Sequence, residues 1–491
     1  MLQIAGPPRL TRHGVAELGR HGVTRRTLLQ AGGAGLLGLN LPRLLQAESQ
    51  TPNHSLLPAR AKSVIFLFLF GGPSQLETFD LKPDAPSKIR GPLRPIASRT
   101  PELRIGELLP RTALISDKLC VVRTMTHPYN DHSGAGHYIQ TGKMWQIPIG
   151  GGFNATPRDW PSIGSVVEHL FQHREDVKNR ELPNYAVVPN SLGRLQEYNV
   201  PLRRPGEYAG WLGRGYDPLT TTVDKRDAKD NPYFRNCTDQ ELNFQIQGLA
   251  LPTEMTLDRL SGRRNLREQF DQQLRAAADS HHWSAVDRFR ERAWSLVSSP
   301  RTRQALDLRQ EPAELRDRYG RHLFGQSVLM ARRLVEAGVR FVTVHWDCPD
   351  GYSWDSHVHS TDVKNHLIPG LDSALSTLIE DLSQRGLLDE TLVVCLGEMG
   401  RTPQANDQWG RNHWSTLFPA VLAGAGIRGG TVYGSSDKDA AYPIDKPVRP
   451  EDLAATIYTA LGIDPHLQLP DAQGRPVTIV PEGRAVMDLF G

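Results

Sequence analysis

Four short segments of this chain carry the residue types best suited to chemistry. Ser74, Glu77 and Asp80 follow one apolar run. His127, Asp131, His132, Ser133 and His137 follow a second. Asp347, Asp355, His357 and His359 follow a third, and Glu398, Arg401, Arg411 and His413 follow a fourth. Imidazoles mixed with carboxylates suit zinc, manganese or iron, whereas a set of mostly carboxylates and water suits magnesium or calcium. Two such ions about 4 Å apart can hold both the attacking and the leaving oxygen of a phosphoryl-type displacement. A lone surface histidine or aspartate is usually only solvated. Histidines after three separate apolar runs are what suggest a shared site.

The elements that must position these residues can be read from the apolar pattern. Ser63–Phe70 is a continuous apolar strand that runs into the tight turn Gly71-Gly72-Pro73-Ser74. Leu119–Arg123, Asn184–Val188, Val339–Val344, Leu392–Leu396 and Ala420–Gly424 read as further strands. Helices are expected over Glu102–Ile115, Pro161–Phe171, Glu311–Ala337, Leu371–Arg385 and Pro450–Leu461. In Leu371–Arg385 the residues Leu371, Leu375, Leu378, Ile379 and Leu382 recur at helical spacing. Thr126–Gly142 reads as a polar loop. Residues 201–234 read as an irregular insertion, and Thr253–Arg309 as charged and mostly helical. Strands alternating with helices imply an α/β fold with a doubly wound, mostly parallel sheet. In such sheets ligands bind beyond the carboxyl ends of the strands, where the four segments begin.

Bulk properties narrow the function classes. The chain has 491 residues, with 39% hydrophobic and 23% charged, as expected of a soluble globular protein. A net charge of +3 without an arginine-rich stripe argues against a nucleic-acid partner. Cys120, Cys237, Cys348 and Cys395 are far apart and form no C-x-x-C pair, which argues against a zinc ribbon. Near the start, Arg25-Arg26 precedes a glycine-rich apolar run of about a dozen residues, too short for a span of roughly 20. This pattern resembles a twin-arginine export signal. Residues 1–47 are therefore expected to be a signal peptide and 48–62 a linker. Residues 63–491 would form the folded domain, with an insertion at about 201–310. Export implies a periplasmic or extracellular protein, and no later segment reads as a membrane span.

The order of these motifs resembles the alkaline-phosphatase and sulfatase superfamily. There the nucleophile stands nine residues before the glycine of a Leu-Thr-Gly segment; here Ser133 stands nine residues before Gly142 in Thr141-Gly142. Asp355 with His357 or His359, the Glu398-Met399-Gly400 triplet and His413 in Gly410–Trp414 follow the superfamily's later metal motifs. More closely, the chain resembles an uncharacterised domain-of-unknown-function family of twin-arginine-exported, sulfatase-like bacterial proteins. The matching phrases include Phe70–Ser74, Thr78–Pro83, Trp354–His357, Gly397–Pro403, Gly410–Trp414 and Tyr433–Lys438.

The resemblance implies an alkaline-phosphatase-like central sheet, mostly parallel, with helices on both faces. It implies a metal-dependent hydrolase of phosphate or sulfate esters. Ser133 would be the nucleophile, with Arg401 or Arg411 holding the anionic group. Asp355, His357, His359, Glu398, His413, Asp80 and His132 would be the metal-ligand candidates for zinc, manganese or calcium. The substrate would be a small anionic ester or a sulfated or phosphorylated polymer. Three departures stand against full activity. The first strand ends in Phe70-Gly71 where the superfamily has a metal-binding aspartate; Ser133–His137 lacks the arginine of a formylglycine motif; and Met399 is a poor ligand for a hard ion. The alternative is a non-catalytic binding protein on the same fold.

Overall fold

The computed structural model describes residues 58–145, 154–172, 182–189, 204–223, 230–246, 299–346 and 354–491. Strand β1 (Ser63–Phe68) is buried along its whole length. Its side chains alternate between two cores, as a pleated strand requires. Ile65 and Leu67 join one cluster and Val64, Phe66 and Phe68 the other.

Eight further strands complete the sheet: β2 (Leu119–Met125), β3 (Tyr185–Val188), β4 (Leu219–Thr222), β5 (Gln245–Ile246), β6 (Phe341–His345), β7 (Thr391–Leu396), β8 (Phe418–Ala423) and β9 (Thr431–Tyr433). The spatial order is β9-β2-β8-β7-β1-β6-β3-β4-β5. β1 pairs in parallel with β6 and β7, and β3 pairs in parallel with β6 and β4. β8 runs antiparallel to both β7 and β2, and β5 antiparallel to β4. The sheet is therefore mostly parallel, as the alternation of strands and helices implies. Among the expected strands, the one at Ala420–Gly424 is reversed.

Helices cover both faces. On one side α3 (Leu323–Glu336) and α4 (Ile368–Gln384) pack on Ile65, Leu67, Val342 and Val393. On the other, α2 (Ile163–Gln172) and α5 (Pro450–Ala460) pack on Val64, Phe66, Leu392 and Val394, with α1 (His132–Thr141) contributing Ile139. Among the described residues, no helix is long and apolar enough to cross a membrane.

Four local readings need correction. Glu311–Ala337 is two helices, Ala313–Tyr319 and α3, broken at Gly320 with φ 93°. Residues 201–234, expected to be an irregular insertion, contribute strand β4 to the central sheet. Glu102–Ile115 is not one helix. Arg104–Gly106 pairs antiparallel with Pro95–Ala97, and only Pro110–Leu114 is helical. Leu103 and Ile105 are both buried, which is the period of a strand rather than of a helix. Thr126–Gly142 is not all loop, because its second half is α1. Asp131 caps the helix, its Oδ1 accepting the Gly134 amide at 2.7 Å. Gly142 closes it at φ 70°, and a Cβ there would lie 2.5 Å from the Ala454 methyl. Most of the helix expected over Thr253–Arg309, the export segment and Asp347 lie outside the described residues.

Candidate metal centre

The strands that run with β1 deliver their following loops to one edge of the sheet. β7 ends at Leu396, and two residues on Glu398 is fully buried. Its carboxylate accepts the Gly71 amide at 2.9 and 3.1 Å. Gly71 takes φ +111°, and a Cβ there would stand 2.5 Å from the Asp355 nitrogen. Only glycine fits that close approach. Glu398 also accepts His132 Nδ1 at 2.6 Å.

That bond sets the orientation of His132. With Nδ1–H donating to a carboxylate, Nε2 is the atom left for other work. Nε2 is buried and faces Asp355 Oδ2 at 3.1 Å. His413 is held in the same way: Nδ1–H donates to the Asn130 carbonyl at 2.8 Å, and Nε2 lies 3.1 Å from Asp355 Oδ1. His357 donates Nδ1–H to Asn412 Oδ1 at 2.9 Å, and its Nε2 lies 2.9 Å from Asp355 Oδ1. The proton positions follow from these acceptors. The Nε2 atoms of His357 and His413 are 2.9 Å apart.

This donor set fits a divalent cation. Ligand atoms of His132, Asp355 and His413 all lie within 4.8 Å of one another. Bonds of about 2.0–2.1 Å at a tetrahedral ion place neighbouring ligand atoms roughly 3.3 Å apart. Two neutral imidazole nitrogens facing each other at 2.9 Å present lone pair to lone pair. A cation between them, or a proton on one, removes that repulsion. An acceptor on Nδ1 of each ring is the support that metal-bound histidines ordinarily have.

Without an ion, a proton on His132 offsets the carboxylate charges of Asp355 and Glu398. Burial lowers the His132 pKa, but hydrogen bonds with Asp355 and Glu398 outweigh it and raise the value to about 9. Burial pushes the Asp355 carboxyl up; His132, His413 and the Arg401 charge outweigh that and hold it well below the usual range. Arg401 fixes Asp355 from behind, its Nη2 donating to Oδ1 at 2.6 Å. The same guanidinium donates to the carbonyls of Gly71, Gly72 and Arg411. Arg401 is fully buried, so it serves Asp355 and the turn rather than a free ligand.

The other expected residues go elsewhere. Arg411 is buried and bonds Glu77 and the carbonyls of Ile89, Thr402 and Pro403. Asp80 lies in a separate buried network with Lys82, Arg123 and Ser436. His359 Nδ1 accepts the Thr361 amide at 3.3 Å, and its backbone bridges Trp409. Glu398 supports His132 and the Gly71 amide. Ser133 stands in the first turn of α1, next in the chain to His132. Its hydroxyl makes no hydrogen bond among the described residues.

Three residues support the site in roles the sequence did not indicate, although His127 stands among its candidates. His127 donates Nε2–H to the Glu398 carbonyl at 2.6 Å and accepts the Tyr129 amide on Nδ1. Burial lowers its pKa to about 4, so the ring is neutral. Asn130 and Asn412 orient His413 and His357. The only signal for Asn412 was its place beside His413.

Several solved structures are remotely similar. A phosphonate monoester hydrolase from Silicibacter pomeroyi is 13% identical over 87% of this chain and 76% of its own, with a TM-score of 0.35. A sulfatase from Pseudoalteromonas sp. is 11% identical over 86% and 70%, with a TM-score of 0.35. A lipoteichoic acid synthase from Listeria monocytogenes is 10% identical over 88% and 77%, with a TM-score of 0.29. Among curated proteins, none matches the sequence. One family model spans residues 61–490, nearly the whole chain, and on that match the chain belongs to the family described as "Protein of unknown function (DUF1501)".

Proposed function

We propose that this protein is an exported, metal-dependent hydrolase of phosphate or sulfate esters. The observation that carries the reading is the shared orientation of three histidines. Each spends Nδ1–H on an oxygen acceptor and turns Nε2 toward Asp355. His132, Asp355, His357 and His413 would hold zinc, manganese or calcium, with the imidazoles favouring the first two. When bound, the ion would supply Lewis-acid stabilisation of negative charge on the ester.

The chain's own residues supply the rest. Glu398, Asn130 and Asn412 hold the rings, and Arg401 fixes the Asp355 carboxylate. Ser133, in the first turn of α1, would present the attacking hydroxyl, and the positive end of the helix dipole favours an anion there. A hydroxyl needs a base or a metal to take its proton.

One observation favours the alternative of a non-catalytic binding protein. The guanidinium of Arg401 is spent within the protein, and so is that of Arg411, so neither offers a fork to a substrate anion. Turnover of an aryl phosphate, an aryl sulfate and an aryl phosphodiester with added zinc, manganese or calcium separates the readings. The hydrolase reading expects at least one ester to be cleaved and Ser133→Ala to abolish turnover with metal content unchanged. Turnover that survives in Ser133→Ala would move the attack to another group. No cleavage of any ester with any of the three ions would leave binding as the function.

A further inference from the structure

At the other end of α1 lies a second cavity, independent of the ester chemistry. Its volume is about 840 Å³, within the range of roughly 300–1,000 Å³ usual for small-molecule sites. Trp145, Trp160 and Trp211 wall it, with Lys143, Arg158 and His137 among the polar lining. His132 and His137 are five residues apart on one helix, a rise of about 7.5 Å. One helix therefore runs from the metal cluster to this cleft.

Three features of the cleft point to one class of ligand. Trp160 and Trp211 are half-buried and meet edge to face at 5.5 Å, so they form a rigid aromatic corner. The negative face of an indole attracts the polarised C–H groups of a pyranose ring as it attracts other positive edges. His137 is buried, and its Nδ1–H donates to the Lys143 carbonyl at 3.0 Å. Its Nε2 therefore keeps a lone pair, and that atom is buried with no hydrogen-bond partner among the described residues. A buried acceptor without a donor is costly and suits a ligand hydroxyl. The charges complete the pattern. Asp159 is already engaged by the Thr156 amide and hydroxyl, and Asp471 by Arg475. The lining carboxylates are satisfied, whereas Arg158 has no acidic partner among the described residues and Lys143 only a distant one. Lys143 reaches Glu482 at 4.0 Å while lying over the Trp160 ring.

We propose that this cleft binds an acidic oligosaccharide: Trp160 and Trp211 stack on a sugar ring, His137 Nε2 accepts a sugar hydroxyl, and Arg158 and Lys143 meet a sulfate, phosphate or carboxylate. The test is tryptophan fluorescence and calorimetric titration of the full chain with sulfated hexasaccharides of glucose, galactose and glucosamine. Their unsulfated counterparts and tripolyphosphate are the controls. The expected result is saturable binding of at least one sulfated hexasaccharide. Its unsulfated form and tripolyphosphate, which has charge without rings, should bind at least roughly tenfold more weakly, because a bond to a charged group is lost or no ring can stack. Arg158→Ala, an exposed position, should weaken binding by roughly tenfold or more. Trp211→Ala should weaken it by about three- to tenfold. His413→Ala should leave it unchanged, which separates the cleft from the metal centre. Binding of none of the three sulfated sugars would overturn the proposal. So would binding that Arg158→Ala and Trp211→Ala leave intact. Tripolyphosphate binding as tightly as the sugars would replace it with a simple anion patch.

Discussion

Glu398 illustrates how a residue's type and place can be legible while its role is not. Its position just past a buried apolar run marks it as part of a site. Its carboxylate, however, is taken by the Gly71 amide and by His132 Nδ1. Glu398→Gln is therefore expected to leave the ligands in place but weaken their hold, lowering metal affinity by roughly 10–100-fold. Competition with a chromogenic chelator measures this, and unchanged affinity would show that Glu398 has no part in orienting His132. Asp80 and Arg411 are engaged away from the His132–Asp355–His413 cluster for the same physical reason. Sequence shows a charge near a strand end but not the opposite charge that folds against it. Lys82 and Arg123 claim Asp80, and Glu77 claims Arg411. His127, Asn130 and Asn412 each reach the site through a hydrogen bond across a long sequence separation, which no local pattern encodes.

The turn after β1 and the helix after β2 carry the site at the scale of elements. Six of the sheet's nine described strands were legible because a strand buried on both faces is a plain apolar run; β4, β5 and β9 are short and only partly buried and were not. Helix α1 was not, because its composition of glycine, histidine and serine is that of a loop. Its Asp131 cap and its packing on α5 impose the helix instead. In the turn after β1, a Cβ on Gly71 would stand 2.5 Å from the Asp355 nitrogen. Gly71→Ala combines that clash with a positive φ, which costs about 1–3 kcal/mol in backbone strain alone. It should lower the thermal midpoint and release Asp355 and Glu398 together, cutting metal affinity as well. A variant with wild-type stability and metal content would refute this account of the turn. The error over Glu102–Ile115 has a simple origin: a short stretch of leucines and isoleucines fits either period, and there the pairing with Pro95–Ala97 decides.

At the scale of the whole molecule, the mostly parallel sheet and its two helical faces match the α/β reading. The reversed β8 was invisible, because a strand's direction leaves no mark in its composition. The molecule's response to pH should report the cluster. In metal-free protein His132 sits above its ordinary value of 6.5, at about 9. Its contribution to stability is full below pH 6.5 and is lost as the pH rises through about 9. Asp355 is depressed, so its contribution is present above its ordinary value of 3.8 and is lost as the pH falls below that value. The thermal midpoint of metal-free protein should therefore decline from pH 6.5 to 10. Bound zinc displaces the His132 proton and should flatten that decline. Identical pH profiles with and without zinc would contradict the coupling. Export is tested on the same scale. Replacing Arg25 and Arg26 with lysine should block it, and normal export of that variant would remove the twin-arginine reading.

The central claim is that His132, Asp355, His357 and His413 together hold a divalent ion. Elemental analysis of the full chain purified under native conditions, beside His413→Ala prepared identically, tests it most directly. Circular dichroism should confirm that the variant is folded. The account predicts close to one equivalent or more of zinc or manganese in the wild type and a clear loss in His413→Ala. Equal metal content in the two proteins, or none in a wild type offered zinc and manganese at neutral pH, would contradict it.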